Sequence, residues 1–148
     1  MKQIIKNPQN DSAKNVINIE AIIKQNYKLL QEILGFRFSS QSFIGRQRVV
    51  SRGLPEVIFE FGKKNIMNIT EYIELTAGTY PDPAIEIKIN FENKTAEAIS
   101  KEVIGNFALI DGDTEKRKSF NIYLNDWLSD LKRHGASIYS PRRNNRTY

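Results

Sequence analysis

The chain contains no cysteine. That excludes disulfides, a thiol nucleophile and any cysteine-ligated metal, and it fits a reducing compartment. Histidine occurs once, as His134, and tryptophan once, as Trp127. With one histidine and no cysteine, a zinc site lacks its ordinary ligands. No stretch approaches the ~20 apolar residues of a membrane span, and the start, MKQIIKNPQNDSAKN, has no apolar run of the kind a signal peptide needs. The expectation is a soluble, cytoplasmic protein with no membrane partner. Phosphate-binding loops, dinucleotide fingerprints, nucleophile elbows and metal-binding helix motifs are missing too. No catalytic residue, metal or cofactor is therefore assigned, and the reading leans away from an enzyme.

What is present suits one compact domain. The length is 148 residues, and 40% of them are hydrophobic, with eight Phe and six Tyr to fill a modest core. The net charge is +5, and its placement matters more than its size. From Lys132 onward there are five basic residues (Lys132, Arg133, Arg142, Arg143 and Arg146) and no acidic one, so residues 1–131 hold 17 basic and 17 acidic side chains. A neutral body carries a basic end. Residues 1–14 are polar and read as a flexible arm, residues 15–135 as the domain, and residues 136–148 as a basic, flexible tail.

Hydrophobic spacing gives the elements. Ile19, Ile22, Ile23, Asn26/Tyr27, Leu30, Ile33 and Leu34 recur at helical intervals, with Asn18 placed to cap the start and Gly35 to end it. Residues 36–56 give no clear period and read as a loop and a short strand, closed by Gly53-Leu54-Pro55. The period then becomes two. Val57, Phe59 and Phe61 alternate, and Met67, Ile69, Ile73 and Leu75 share one parity. Ile85, Ile87, Ile89 and Phe91 do the same, ahead of a turn at Asn93-Lys94 and a strand from Thr95. Asp111-Gly112-Asp113 turns into a last helix, where Phe120, Tyr123, Leu124, Trp127, Leu128 and Leu131 fall on one face. The order implies an α+β fold, an antiparallel meander of about four strands packed on one face against an N-terminal and a C-terminal amphipathic helix.

Few constellations stand out. His134 lies in the last turn of the final helix, where a cation favours the free carbonyls. Asp111, Asp113 and Glu115 alternate like the start of a calcium loop, but Lys116 stands where the loop needs glycine and Ile122 where it needs an acid. Glu71, Glu74, Glu86, Glu92 and Glu97 share strands with Lys88 and Lys94, the pattern of cross-strand charge pairs. Arg46, Arg48 and Arg52 cluster within seven residues; on a strand, the first two point the same way. Arg142, Arg143 and Arg146 sit between Tyr139 and Tyr148, a composition suited to phosphates and bases. Gly78 to Pro83 reads as a rigid loop in which Tyr80 and Asp82 are candidate binding residues and Asp82 locks the turn.

YIELTAGTYPDPAIEIKI (72–89) resembles a strand, glycine turn, Asp-Pro and strand unit of small uncharacterised bacterial, phage and plasmid proteins. NIYLNDWLSDLKRHG (121–135) is similar to the closing helix of the same group, in Leu124, Asn125, Trp127, Leu128, Leu131 and Gly135. The chain departs from the group's Asn-Gly-Asp turn, with Ala77-Gly78-Thr79 in its place. The resemblance implies an α+β domain from a mobile element and assigns no activity. The expected function is a non-enzymatic, macromolecule-binding accessory with a protein partner. The alternatives are a DNA- or RNA-associated protein using the arginines, and a small enzyme acting on a nucleotide or phosphodiester with sheet-face carboxylates. As a monomer or homodimer, it has an exposed strand edge available for pairing.

Overall fold

The computed structural model describes residues 18–39 and 45–141. Helix α1, Ile19–Leu34, precedes six strands: β1 (Gly45–Ser51), β2 (Leu54–Phe61), β3 (Ile66–Leu75), β4 (Gly78–Asn90), β5 (Thr95–Val103) and β6 (Asn106–Leu109). Helix α2, Thr114–Arg133, and a short β7, Ser137–Ile138, follow. The strands form one antiparallel sheet of seven in the order β6-β5-β4-β3-β2-β1-β7. Both helices lie on the same face.

The helix ends are made as the sequence suggests. Asn18 Oδ1 accepts from the backbone N–H of Glu20 and Ala21, and Asp113 Oδ1 accepts from Lys116 N–H. At the end of α2, Gly135 turns to φ +74°, its N–H donates to Lys132 C=O and Ala136 N–H donates to Leu131 C=O. These two bonds reverse the chain and aim it back at the sheet.

The sheet is larger than the four strands expected. Residues 36–56 hold β1 and the start of β2 rather than a loop with one short strand. Their alternation is masked because β1 lies near an edge, so only Val49 of Arg46–Val50 is buried. β6 and β7 are too short to give a period. The 78–83 segment is not a loop either. β4 runs unbroken from Gly78, the turn being Thr76-Ala77. A bulge absorbs the irregularity: β4 takes three steps from Pro81 to Ala84 where β3 takes two from Thr70 to Tyr72. The Asp82–Pro83 peptide is cis. The tail expected from residue 136 begins with β7, which pairs Val49 with Ile138 and Val50 with Ser137. The N-terminal arm, 1–14, lies outside the described residues.

The core fills the space between helices and sheet. Val49, Val57, Phe59, Met67, Ile69, Ile85, Ile87, Ile89, Ala96 and Ala98 face Leu30, Ile33, Leu34, Phe120, Leu124, Leu128 and Leu131. An aromatic cluster of Tyr27, Phe38, Phe61 and Phe91 closes one end, with Tyr27 and Phe38 centroids 4.9 Å apart. Two of the six residues expected on the core face of α2 are displaced to its flank: Tyr123 is 38% exposed and Trp127 half-buried. The stripe turns away from them because Asn121, a quarter-turn round the helix from Phe120, is fully buried.

Asn121 is needed at an open edge. β6 pairs β5 only through Ser100–Val103, leaving Ala96 and Ala98, which pair with β4 on one side, with no strand on the other. Asn121 Oδ1 accepts from Ala98 N–H at 2.8 Å, and Asn26 Nδ2 donates to Ala96 C=O at 3.2 Å. Asn26 Nδ2 lies 3.4 Å from Asn121 Oδ1, Asn125 Nδ2 donates to Asn26 Oδ1, and Asn121 Nδ2 donates to Arg117 C=O. Outside this network, Arg117 pairs with Glu97 across the same edge. Asn121→Ala strands a buried amide and should lower stability by about 2–3 kcal/mol. Asn125→Ala, at the half-buried end, should cost about 1 kcal/mol. Urea unfolding with an unchanged m-value checks both.

Candidate functional site

The longest strands build the most prominent surface feature. β2 pairs β3 only from Met67 to Thr70, and β5 pairs β4 only from Ala84 to Asn90. Beyond those limits Tyr72–Leu75 and Gly78–Pro81 have ladder partners only in each other. They form a two-stranded arm that runs past the neighbouring strands. Ile104 N–H donates to Pro81 C=O at 2.8 Å and steadies its base. The arm exposes Tyr72 by 50% and Leu75 by 43%.

The arm's inner side faces α2. Alternation from Met67 and Ile69 carries through Glu71 and Ile73, so Glu71 belongs to the helix-covered face and not to a solvated face shared with Glu74. Burial, first, and the charge of Asp82, second, push its carboxyl above the ordinary value. Tyr123 of α2 stands opposite. The pKa of its hydroxyl is pushed up by burial, then by the charges of Asp82 and Glu71. Lys101 Nζ lies 3.9 Å from the centre of the Tyr123 ring and supplies the local positive charge. Along α2, Tyr123, Asp126, Trp127 and Asp130 line a shallow concavity of about 260 Å³. The surface is aromatic and acidic, which suits a basic, partly apolar partner.

The residues singled out from sequence fall in three places. Tyr80 and Asp82 are on the arm: Tyr80 Oη donates to Ala77 C=O at 3.4 Å, and Asp82 acts on Glu71 and Tyr123. Arg46 and Arg48 point the same way on β1, as the strand reading required, on the face without helices. Arg48 is engaged there by Glu56, at 2.6 Å, and its guanidinium lies 4.2 Å from the centre of the Tyr139 ring. Arg52 is apart from them, in the β1–β2 turn, where its N–H donates to His134 C=O and its guanidinium reaches Gly135. Arg142, Arg143 and Arg146 lie outside the described residues. Two of the sheet's carboxylates are engaged: Glu86 accepts from Ser100 Oγ at 2.6 Å, and Glu97 holds Arg117.

Sequence reasoning passed over Lys101, read Glu71 as part of a solvated set of cross-strand charge pairs and placed Tyr123 in the core. One signal was there: in the row Met67, Ile69, Glu71, Ile73, Leu75, a single acid interrupts an apolar parity. Also unforeseen is a basic concavity of about 440 Å³ at the opposite end of the sheet, lined by Lys24, Tyr27, Lys28, Gln31, Asn93 and Lys94. Beside the same β4–β5 turn, Lys64 and Lys88 border another of about 380 Å³. Among the described residues, no group of acids and histidine is arranged to hold a metal ion, and no helix is long and apolar enough to cross a membrane. No protein-family model matches the chain, and neither does any curated protein or solved structure.

Because its folded pKa is raised, Glu71 binds a proton more tightly in the folded chain than in the unfolded one. Its contribution to stability is full below the ordinary value of 4.5 and is lost as pH rises through the raised value. Glu71→Gln should therefore remove a fall in stability over the weakly acidic range just above that value. Urea unfolding of both proteins across this range checks it; parallel curves would refute the assignment.

Proposed function

We infer that the protein is a non-enzymatic accessory of a phage, plasmid or other mobile element that docks a protein partner through the β3–β4 arm and the adjoining flank of α2. The observation that carries this reading is the arm itself. It holds Tyr72 and Leu75 in solvent beyond the sheet, Leu75 on the side of the α2 flank where Tyr123 is also exposed and Tyr72 on the opposite face of the ribbon. A folded domain has little reason to extend a two-stranded ribbon with apolar side chains unless the ribbon meets something. The two stretches that resemble mobile-element proteins, 72–89 and 121–135, come together at this surface, which adds support. The acids around it, Glu71, Asp82 and Asp126, favour a basic partner and salt-sensitive association, Asp130 being paired with Arg133.

The test is affinity capture from extracts of the bacterial host, comparing wild type with Tyr72→Asp/Leu75→Asp and with Arg46→Glu. A partner held by wild type and Arg46→Glu but lost from the arm variant is the expected result. A photo-crosslinker at position 75 should attach to that partner. Capture that does not change with the arm substitutions sinks the reading.

A second reading, association with DNA or RNA, is favoured by the convergence of Lys24, Lys28 and Lys94 on one concavity with Lys64 and Lys88 alongside. Arg46, Arg48, Arg142, Arg143 and Arg146 would extend it. Retardation of labelled DNA or RNA at low salt, steeply lost at higher salt and abolished by Lys24→Glu/Lys28→Glu/Lys94→Glu, is its expected signature. No retardation at low salt removes it.

A further inference from the structure

Among the described residues, the β6 edge of the sheet has one of the usual devices that prevent strand pairing, its shortness, and lacks the others. From Ile104 to Ile110 there is no charged residue and no proline, and the ladder with β5 is regular, without a bulge. The rest of this edge, at Ala96 and Ala98, is covered by Asn121 and Asn26. β6 is also the most apolar exposed strand: Phe107 is 55% and Leu109 51% exposed, with Ile104 at 42% beside them. Ile104 sits at φ +47°, a left-handed position that a β-branched side chain occupies at a cost and that Asn or Gly would fill more easily. An apolar side chain is thus kept at this tip against local backbone preference.

Backbone direction decides what the edge can take. Ile110 N–H donates to Ile99 C=O, so Ile110, Ala108 and Asn106 turn their backbone groups toward β5. By alternation Phe107 and Leu109 turn N–H and C=O outward. We propose that this edge pairs with the β6 edge of a second copy of the chain, antiparallel about a two-fold axis through Ala108, so that Phe107 of each copy lies opposite Leu109 of the other. That register keeps the helix-covered faces of the two sheets on one side, as continuity of the pleat requires. Phe107 N–H donates to Leu109 C=O of the second copy and Leu109 N–H to its Phe107 C=O, twice by symmetry. On the open face the two most exposed side chains of the strand become cross-strand apolar neighbours. The flanking residues on β5 are Glu102 beside Phe107 and Ser100 beside Leu109. A Glu102 of one copy therefore meets a Ser100 side in the other, and no like charges face each other.

A second copy fits better than an unrelated strand because the edge is complementary to itself in length, neutrality and side-chain size. A four-residue strand and its side chains bury well under the ~800 Å² per partner of a standard interface, so the dimer is weak and concentration-dependent. This pairing uses neither the arm nor the lysine-lined concavities, so it stands or falls apart from the readings above.

The test is sedimentation equilibrium of the full chain from low micromolar to near-millimolar concentration. Wild type should dimerise within that range. Phe107→Lys/Leu109→Lys, which places lysine opposite lysine, should weaken dimerisation by at least about tenfold. Phe107→Lys/Leu109→Glu, which places lysine opposite glutamate of the other copy, should restore it. Both positions are exposed, and unchanged thermal unfolding of dilute protein establishes that the variants fold. Wild type that stays monomeric throughout, or a double-lysine variant that dimerises as tightly as wild type, overturns the proposal. Failure of the charge-swapped variant to dimerise overturns the Phe107–Leu109 register.

Discussion

The architecture depends on how the open stretch of β5 is satisfied. A strand that outruns its neighbour leaves backbone groups facing outward, and under two helices there is no water to take them up. Here asparagines do so. Asn121 and Asn26 replace the missing strand at Ala98 and Ala96, each from a different helix, and they approach each other in doing it. The requirement fixes the rotation of α2 about its axis and brings α1 close enough to share the contact. Hydrophobic burial alone would allow either helix to slide or turn; the amides allow one arrangement.

Much follows from that rotation. With Asn121 turned inward, Tyr123 and Trp127 are carried to the flank of α2 that overlooks the β3–β4 arm. The aromatic and acidic surface proposed as a docking site is therefore a consequence of the buried amides as much as of the arm. The molecule is polarised along its strands: lysines gather around the β2–β3 and β4–β5 turns, while Glu71, Asp82 and the exposed aromatics gather at the other end. Partners of opposite charge would be drawn to opposite ends.

The sequence was legible where burial is one-sided and continuous. Both helices, their caps and the strands around Ile85–Ile89 announce themselves by period, because each has one wet and one dry face. β1, β6 and β7 do not, since a strand near an edge buries little and need not alternate. The proline-flanked Asp82 suggested a loop because the signals for a turn and for a bulge in a long hairpin use the same residues. At the candidate site, Glu71 was readable in principle as an acid in an apolar row, and Asn26 as an amide in an apolar helix face. Lys101 was not, because the shift in register between β4 and β5 at Glu86/Ile87 changes which side of the sheet it occupies. Tyr123 was misjudged because helical spacing gives the width of an apolar stripe and not the direction in which it is turned.

The position of α2 between β6 and β7 gives it one more role. It leaves the chain at one edge of the sheet and delivers it to the other. Twenty residues at 1.5 Å each make a rod of about 30 Å. Six gaps of about 4.8 Å make a sheet of about 29 Å from β6 to β7. The helix is as long as the sheet is wide, and it is fastened at both rims, by the Asp113 cap beside β6 and by the Leu131–Ala136 reversal that feeds β7. It acts as a ruler for the sheet, setting how many strands can be spanned before the chain must turn back, and it makes the two distant rims mechanically one piece.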